Sequence, residues 1–411
     1  MIRKMKDSGS VHIGMIPTDW RIAPIKYYSS IFCGSFVIKT LQDDDYQYPV
    51  FNGGMGNTGN YLKFNYKGDL ILVSSRGASA GYTYYYQGKC WIGNSCYAIK
   101  TINNIVDWRY LYYSLKNNED SLNIERQITT IPAVSQDQMR NSKIALPNKI
   151  QQQAIVVFLD AKCAEIDALT ADIQSEIETL EAYKRSKVFE VVGHGLGHIE
   201  FVETDSDVWK TIPQGWEIVD VKYLFEIVKR IAGKEGYDII AITQQGLKFK
   251  DISSNEGQLA SNYSGYQFVY PGDYAMNHMD LLTGWVDLSD KFGVTSPDYR
   301  VFRLRYPNEF DKKYYKYIMQ CCYMCRIFYS LGQGVSNLGR WRLQTSEFND
   351  FKVPVPPYDE QVRIGDFLDE EIKKINSVIA QKQKQLSILS DYKKSIIYEY
   401  VTGKKEVPCH E

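Results

Sequence analysis

Apolar residues between positions 166 and 180 recur at helical spacing. Ile166, Leu169, Ile173, Ile177 and Leu180 are separated by 3, 4, 4 and 3 positions, which puts them on one helix face. Ile375, Ile379, Leu386 and Leu389 form a second seam, interrupted by Lys382. Each seam lies in a stretch of about 40 residues that opens after prolines (Pro147; Pro354, Pro356 and Pro357) and has no interior Gly or Pro except Gly365, so two long helices are predicted. At 1.5 Å per residue such a helix spans about 60 Å. That exceeds the width of a small domain, so these helices are expected to protrude and pack on one another rather than serve as ordinary core helices.

Elsewhere the pattern turns to β-branched and aromatic runs bounded by Gly, Asn and Asp: 69–74, 81–86, 97–100, 267–270 and 299–305. Short helices are expected at Trp108–Lys116 and Lys312–Phe328. These segments predict strand-rich α+β globules, not doubly wound sheets.

The two halves of the chain repeat. Shifted by 209 residues, Lys143–Val192 lies on Lys352–Val401 without a gap and with 16 identities in 50 positions, among them Phe158-Leu159-Asp160 with Phe367-Leu368-Asp369, and Gln152 with Gln361. Ile16-Pro17-x-x-Trp20 matches Ile212-Pro213-x-x-Trp216 at a shift of 196, and Lys26-Tyr27 matches Lys222-Tyr223. The inserts between these anchors show no alignment, so each copy is one variable globule followed by one constant segment. The expected organisation is a first globule at 1–148, a long helix at 149–194, a second globule at 195–357 and a last helix with its tail at 358–411. The total of 411 residues suits more than one domain.

Charge narrows the function classes only locally, because 48 Lys and Arg against 49 Asp and Glu leave a net charge of −1. The longest apolar run, Ala154–Leu159, is far short of the roughly 20 residues a membrane helix needs. The charged start is no secretory signal. A cytoplasmic protein is expected, with its eight scattered cysteines as free thiols.

Several motifs resemble catalytic ones and fail on context. Gly54-x-Gly56-x-x-Gly59 is followed by Asn60-Tyr61-Leu62-Lys63, not by a helix that could face a pyrophosphate. In Val355-Pro356-Pro357-Tyr358 valine stands where an amino methyltransferase needs a hydrogen-bond acceptor. Cys322-x-x-Cys325 has no second ligand pair nearby and reads as packed thiols. No base and nucleophile pairing emerges among the five histidines. The expectation is a chain without catalytic or metal-binding residues.

A polyanion partner has better support. From Arg300 to Arg342 nine Lys or Arg face only Glu309 and Asp311, a local excess of +7 in 43 residues, beside the Gly332–Gly339 loop with its Gln333 and Asn337. Such charge neutralises phosphates, and Gln and Asn side chains match adenine edges. A solvated basic face remains the alternative at this point. The first globule has a weaker counterpart in Lys39, Lys63 and Ser74–Ser79.

With these residues in view, essentially the whole chain resembles the specificity subunit of Type I restriction-modification systems. The likeness is carried by Asp7-Ser8-Gly9 through Ile16-Pro17-x-x-Trp20, by Gly68-Asp69 leading to Arg76-Gly77-Ala78-Ser79, by Met279–Trp285, and by the Gln151-Gln152 and Glu360-Gln361 helix openings. The resemblance implies two target recognition domains that read one half each of a split, asymmetric double-stranded DNA site, joined by two antiparallel conserved helices. It implies two methyltransferase subunits docked on those helices, carrying S-adenosylmethionine for adenine N6 methylation, and two restriction subunits using ATP and Mg, with no cofactor on this chain. The family fixes no single DNA-reading residue, because the inserts vary with the target; from local charge and loop chemistry the expected DNA contacts are Lys39, Asn57, Lys63, Ser75, Arg76 and Ser79 in the first globule, and Lys248, Asn277, His278, Arg300, Gln333, Asn337, Arg340 and Arg342 in the second. The expected partner-docking residues are Phe158, Ile166, Ile173, Leu180, Phe367, Ile375, Leu386 and Leu389. Two other readings stay open: a repeat-built scaffold that binds protein or another polyanion, and a methyltransferase acting alone, which Val355 disfavours. The His194–His198 stretch has no assigned place.

Overall fold

The computed structural model describes residues 3–119, 121–122, 132–251, 262–334 and 341–408. They form two compact units, Met1–Gln174 with Lys384–Glu411, and Ser175–Gln383. Both divisions fall inside a long helix.

In chain order the first half contributes β1 (Met5–Asp7), β2 (Met15–Pro17), β3 (Arg21–Pro24), β4 (Ser29–Cys33), β5 (Tyr48–Phe51), β6 (Asn60–Tyr61), β7 (Tyr66–Ser74), β8 (Thr83–Ile92), β9 (Cys96–Thr101), α1 (Trp108–Asn117), α2 (Gln136–Asn141), β10 (Lys143–Leu146) and the helix α3 (Lys149–His194). Six strands make one sheet in the order β4-β9-β7-β8-β5-β6, antiparallel except where β5 meets β8. Its central strand β7 is buried on both faces. Ile71 and Val73 pack with α1, whereas Leu70 and Leu72 pack with Phe51, Cys90 and Ala98. That explains why 69–74 reads as a continuous apolar run rather than an alternating one.

The second half contributes β11 (Phe201–Glu203), β12 (Thr211–Pro213), β13 (Glu217–Asp220), α4 (Val221–Leu224), β14 (Phe225–Val228), β15 (Ile240–Thr243), β16 (Gly246–Phe249), β17 (Gln267–Val269), β18 (Tyr274–Met276), β19 (Val286–Leu288), β20 (Gly293–Thr295), β21 (Arg300–Leu304), α5 (Lys312–Met324), α6 (Ile327–Ser330), α7 (Thr345–Asn349), β22 (Lys352–Val355) and the helix α8 (Tyr358–Val401). Its main sheet has four strands, β14-β21-β18-β19, with β15-β16 and β17-β20 as separate pairs. The helix expected at Lys312–Phe328 is interrupted, because Arg326 takes a left-handed conformation with φ 56° between α5 and α6. The thiol pair in α5 is Cys321 with Cys325, their sulfurs 3.8 Å apart, and not Cys322 with Cys325, because a four-residue spacing stacks side chains on one helix face.

Within each unit α3 and α8 run antiparallel. In the first, the Phe158 ring lies 4.3 Å from that of Tyr400 and Lys393 Nζ reaches Asp167 at 2.6 Å. In the second, Lys184 Nζ donates to Asn376 Oδ1 at 3.2 Å, and Lys382, which interrupts the seam, pairs with Glu176. Ile166, Ile173, Ile177, Ile375 and Ile379 are buried, but Leu169 is 47% exposed, so the seam is narrower than the sequence pattern suggests.

One hydrogen-bonded frame recurs in both units. The Asp107 side chain caps α1, and its backbone N–H donates to Gln152 Oε1 at 2.8 Å, while Gln152 Nε2 donates to the Pro147 carbonyl at 3.0 Å. Asp311 caps α5, its N–H donates to Gln361 Oε1 at 2.9 Å, and Gln361 Nε2 donates to the Pro356 carbonyl at 2.8 Å. The buried Tyr110 hydroxyl lies between the carbonyls of Ala145 (2.8 Å) and Val401 (3.1 Å); that of Tyr314 lies between Pro354 (3.2 Å) and Val192 (2.9 Å). The helix ends are therefore exchanged: the first globule is closed by the end of α8, the second by the end of α3. Glycines just beyond these ends, Gly403 (φ 69°) and Gly195 (φ 70°), adopt the left-handed cap conformation where any side chain would strike Trp20 or Trp216. The 194–198 stretch thus serves as the C-terminal cap of α3.

Candidate nucleic-acid interface

In the first unit the expected DNA contacts fall on two neighbouring groups of loops. Lys39 lies in a one-turn 3-10 helix (Lys39–Leu41) tied to the segment before Lys63 by the Leu62 N–H to Leu41 carbonyl bond, and both lysines are exposed. Exposed Phe36, Ile38, Leu62 and Phe64 stand among them, and Lys89 Nζ sits 4.9 Å above the Phe64 ring. The second group is the glycine loop 53–59 against residues 75–80, where the Ser74 hydroxyl donates to the Gly54 carbonyl. Arg76 is exposed here, Ser79 half-buried and Ser75 buried. Asn57 is exposed, but its Oδ1 accepts from the Gly59 N–H at 2.9 Å, so that oxygen shapes its own loop. After Gly59 comes β6, and with no helix end aimed at the loop it makes no dinucleotide cradle.

In the second unit Gln333 and Arg342 are exposed and face each other across a two-bond backbone bridge, 3.0 Å in both directions. Beneath it lie Arg300 and His278. Arg300 is only 4% exposed; its Nη2 donates to the Leu343 carbonyl at 3.1 Å, and its guanidinium stacks 4.6 Å over Phe348. Burial lowers its pKa to about 10, so it stays charged at neutral pH. His278 accepts the Leu343 N–H on its carbonyl, and burial, then the charges of Arg300 and Arg342, push its imidazole down to about 3. Arg300 thus supports the bridge from inside the fold and does not present itself to a ligand. Asn277 carries the loop to Trp285 through its backbone and accepts from the Tyr323 hydroxyl at 2.8 Å. Lys248 is exposed on β16. Asn337 and Arg340 lie outside the described residues.

The linear excess of +7 does not become one surface. Lys313 and Lys316 pair with Asp369 on α8 at 3.1 and 2.9 Å, and Arg303 pairs with Glu226. Burial alone would raise the Asp369 pKa, but the Tyr317 hydroxyl and Lys316 outweigh it and hold the carboxylate below its usual range. Sequence reasoning missed an aromatic cluster in this unit, Tyr237, Phe268, Tyr270 and Phe292, with Arg230 stacked 4.7 Å over Tyr270. The i, i+2 spacing of Phe268 and Tyr270 within the β-branched and aromatic run 267–270 was the available signal.

The residues expected to dock partner subunits are used in the chain's own packing. Ile166, Ile173 and Ile375 are buried, and Phe158, Leu180, Phe367, Leu386 and Leu389 are half-buried. Burial takes the three isoleucines off the surface, while the five half-buried side chains keep part of theirs.

The family model for the Type I restriction modification DNA specificity domain matches residues 17–179 and again 213–387. The chain belongs to that family. It is a DNA specificity subunit, the non-catalytic subunit of a type I restriction-modification system, and its two strand-rich globules are the family's DNA-binding target recognition domains. This specificity subunit is similar to the Type I restriction enzyme MjaVIII specificity subunit of Methanocaldococcus jannaschii, at 24% identity over 98% of this chain and 97% of the relative. It also matches the putative MjaX specificity subunit of the same organism, at 22% over 98% of both chains. The fold matches a chain solved in a study of complex assembly and conformational transition of the type I R-M system, with a TM-score of 0.63 and 15% identity over 95% of this chain and 99% of that one. Members of the family generally bind no cofactor of their own. Among the described residues of the specificity subunit, no helix is long and apolar enough to cross a membrane.

Proposed function

We propose that this specificity subunit reads a bipartite, asymmetric DNA site, one half with each unit, and positions two methyltransferase subunits for adenine N6 methylation together with two restriction subunits. The observation that carries the reading is a repeated frame holding unlike globules: Asp107, Tyr110 and Gln152 recur as Asp311, Tyr314 and Gln361, while the main sheet has six strands in one unit and four in the other. Two different reading surfaces on one chain have no two-fold axis to impose on DNA, so the site need not be palindromic.

DNA contact is assigned to the exposed Lys39, Lys63 and Arg76 of the first unit and Lys248, Gln333 and Arg342 of the second. Partner subunits supply S-adenosylmethionine, ATP and Mg, and the complex works in the cytoplasm. The test is to replace residues 21–140 with the corresponding insert of a relative and sequence the methylated sites in a host carrying the cognate methyltransferase subunit. One half of the site should change and the other should not; a change in both halves refutes independent reading.

A further inference from the structure

Helix α5 ends at Cys325, and a cleft opens there. The cleft has a volume of about 900 Å³ and is bounded by residues of α3, α5, α8 and the turn that joins β15 to β16; Cys325 lines it together with Arg185 and Arg326. Both arginines are exposed, and neither pairs with a carboxylate among the described residues. The acids of the cleft are taken elsewhere, Glu181 by Lys184 at 2.7 Å and Asp287 by Gln320 at 3.0 Å. Cys325 therefore stands in a locally positive, solvent-reached recess.

Its sulfur is half-buried and lies 3.8 Å from the sulfur of Cys321, which is buried one turn back. Residues four apart in a helix have Cα atoms about 6 Å apart, given a rise of about 1.5 Å per residue, and that is within the roughly 4.4–6.8 Å a disulfide takes. Cys322 is also buried but belongs to another face of the helix. The two facing thiols are unlike. The hydrogen bond from Cys321, and then the Arg185 charge, draw the Cys325 thiol below its ordinary value, whereas that bond and burial hold Cys321 well above it. A thiolate within reach of solvent, beside a second sulfur, is the arrangement that peroxides oxidise in preference to other thiols.

We propose that Cys325 is a site of oxidation by hydroperoxides and that Cys321 resolves the product to a disulfide. The Cys325 thiolate attacks one oxygen of hydrogen peroxide, the O–O bond breaks, the sulfur becomes a sulfenic acid, and hydroxide leaves and takes up the proton the thiol had released. The Cys321 sulfur then attacks the oxidised sulfur, the S–O bond breaks, and the oxygen leaves as water with the Cys321 proton. Two thiols and one peroxide thus give one disulfide and two waters. The step closes 3.8 Å to about 2 Å in the last turn of α5, just before the left-handed Arg326. Tyr323 lies in that turn, and its hydroxyl donates to the Asn277 carbonyl at 2.8 Å. The neighbouring His278 carbonyl accepts from Leu343, next to the bridge between Gln333 and Arg342. Oxidation therefore pulls on that bridge and weakens DNA binding, a consequence that rests on the functional reading above.

The test treats the reduced full-length chain with a small excess of hydrogen peroxide, blocks the remaining thiols with iodoacetamide and maps the tryptic peptide Tyr317–Arg326, which carries Cys321, Cys322 and Cys325. Its labels should fall from three to one and return to three after dithiothreitol. Cys322→Ser should fall from two to none, and in Cys321→Ser dimedone should trap a sulfenic acid on Cys325. Cys325 should lose its label at least tenfold faster than Cys33, the exposed thiol of the first unit. Equal rates for Cys325 and Cys33, or a disulfide that still forms in Cys321→Ser, overturn the assignment. The wild-type counts need no substitution, so a variant that fails to fold leaves the test standing. Fluorescence anisotropy with a duplex carrying the site methylated in the host should show at least threefold weaker binding after oxidation in the wild type and no change in Cys325→Ser. A disulfide that leaves affinity unchanged overturns the link to the bridge. A reduced chain that binds no duplex overturns the functional reading, while the label counts still decide the thiol chemistry.

Discussion

Replacing Tyr110 by Phe removes one hydroxyl and nothing else from the centre of the first unit. The ring is fully buried, and its oxygen is the shared donor for the carbonyls of Ala145 at 2.8 Å and Val401 at 3.1 Å. A hydroxyl has one hydrogen, so the two bonds together amount to about one donor, and its loss leaves buried carbonyl oxygens short of a partner. Such a deficit costs about 1–3 kcal/mol. For a unit of this size each kcal/mol lowers the melting temperature by about 2–4 °C. The location of the damage is the sharper readout, since residue 110 holds residue 401 and not the neighbouring helix α3. Hydrogen exchange followed by mass spectrometry should show faster exchange at 396–401 in Tyr110→Phe, with 188–192 unchanged. Tyr314→Phe should do the reverse, speeding 188–192 through Val192 at 2.9 Å and leaving 396–401 alone. If Tyr110→Phe loosened 188–192 instead, the exchange of helix ends would be wrong.

Gly403→Ala should destabilise the first unit by about 1–3 kcal/mol in urea titration, because a side chain there meets left-handed strain and would stand 2.6 Å from Pro17 Cγ. Arg342→Ala should weaken DNA binding uniformly across sequences and flatten the slope of log affinity against log salt by about 1 if its guanidinium meets a phosphate; an unchanged slope removes it from the backbone contacts. His278 gives a pH signature: above its ordinary pKa of 6.5 it is neutral folded or unfolded, but between 6.5 and about 3 only the unfolded chain takes the proton. Stability should therefore fall with falling pH across that window by up to about 1.4 kcal/mol per pH unit from this group, and His278→Asn should flatten that part of the profile.

The long helices were legible because periodicity and proline punctuation are local signals, and the 209-residue shift exposed the duplicated frame through Gln152, Asp160 and their counterparts. The exchange of helix ends was not, because the bond from Tyr110 to Val401 spans 291 positions and no periodicity encodes it. A clue was nonetheless present: Asp107-x-x-Tyr110-x-x-Tyr113 recurs as Asp311-x-x-Tyr314-x-x-Tyr317 at a shift of 204, inside inserts that otherwise do not align. Charge counting misled in the second insert for a related reason. Lys313 and Lys316 are neutralised by Asp369, more than 50 positions away, so a window of sequence overstated what reaches the surface. In sequence Arg300 is one more cation of that run, and in the fold Phe348 and the Leu343 carbonyl cover it.

Because each globule borrows the other helix's end, the order in which the chain leaves the ribosome is not the order in which its parts can finish folding. The unit Ser175–Gln383 is continuous and can close as soon as residue 383 has emerged. The first unit, although begun earlier, must wait for Lys384 onward, and Tyr110 does not meet its carbonyl until residue 401 is made. At about 5–20 residues per second that interval lasts roughly 15–60 s. For that time the apolar surface of the first globule that Ile396, Ile397, Tyr400 and Val401 will cover stays open, so the part of the chain made first is the last to be sealed.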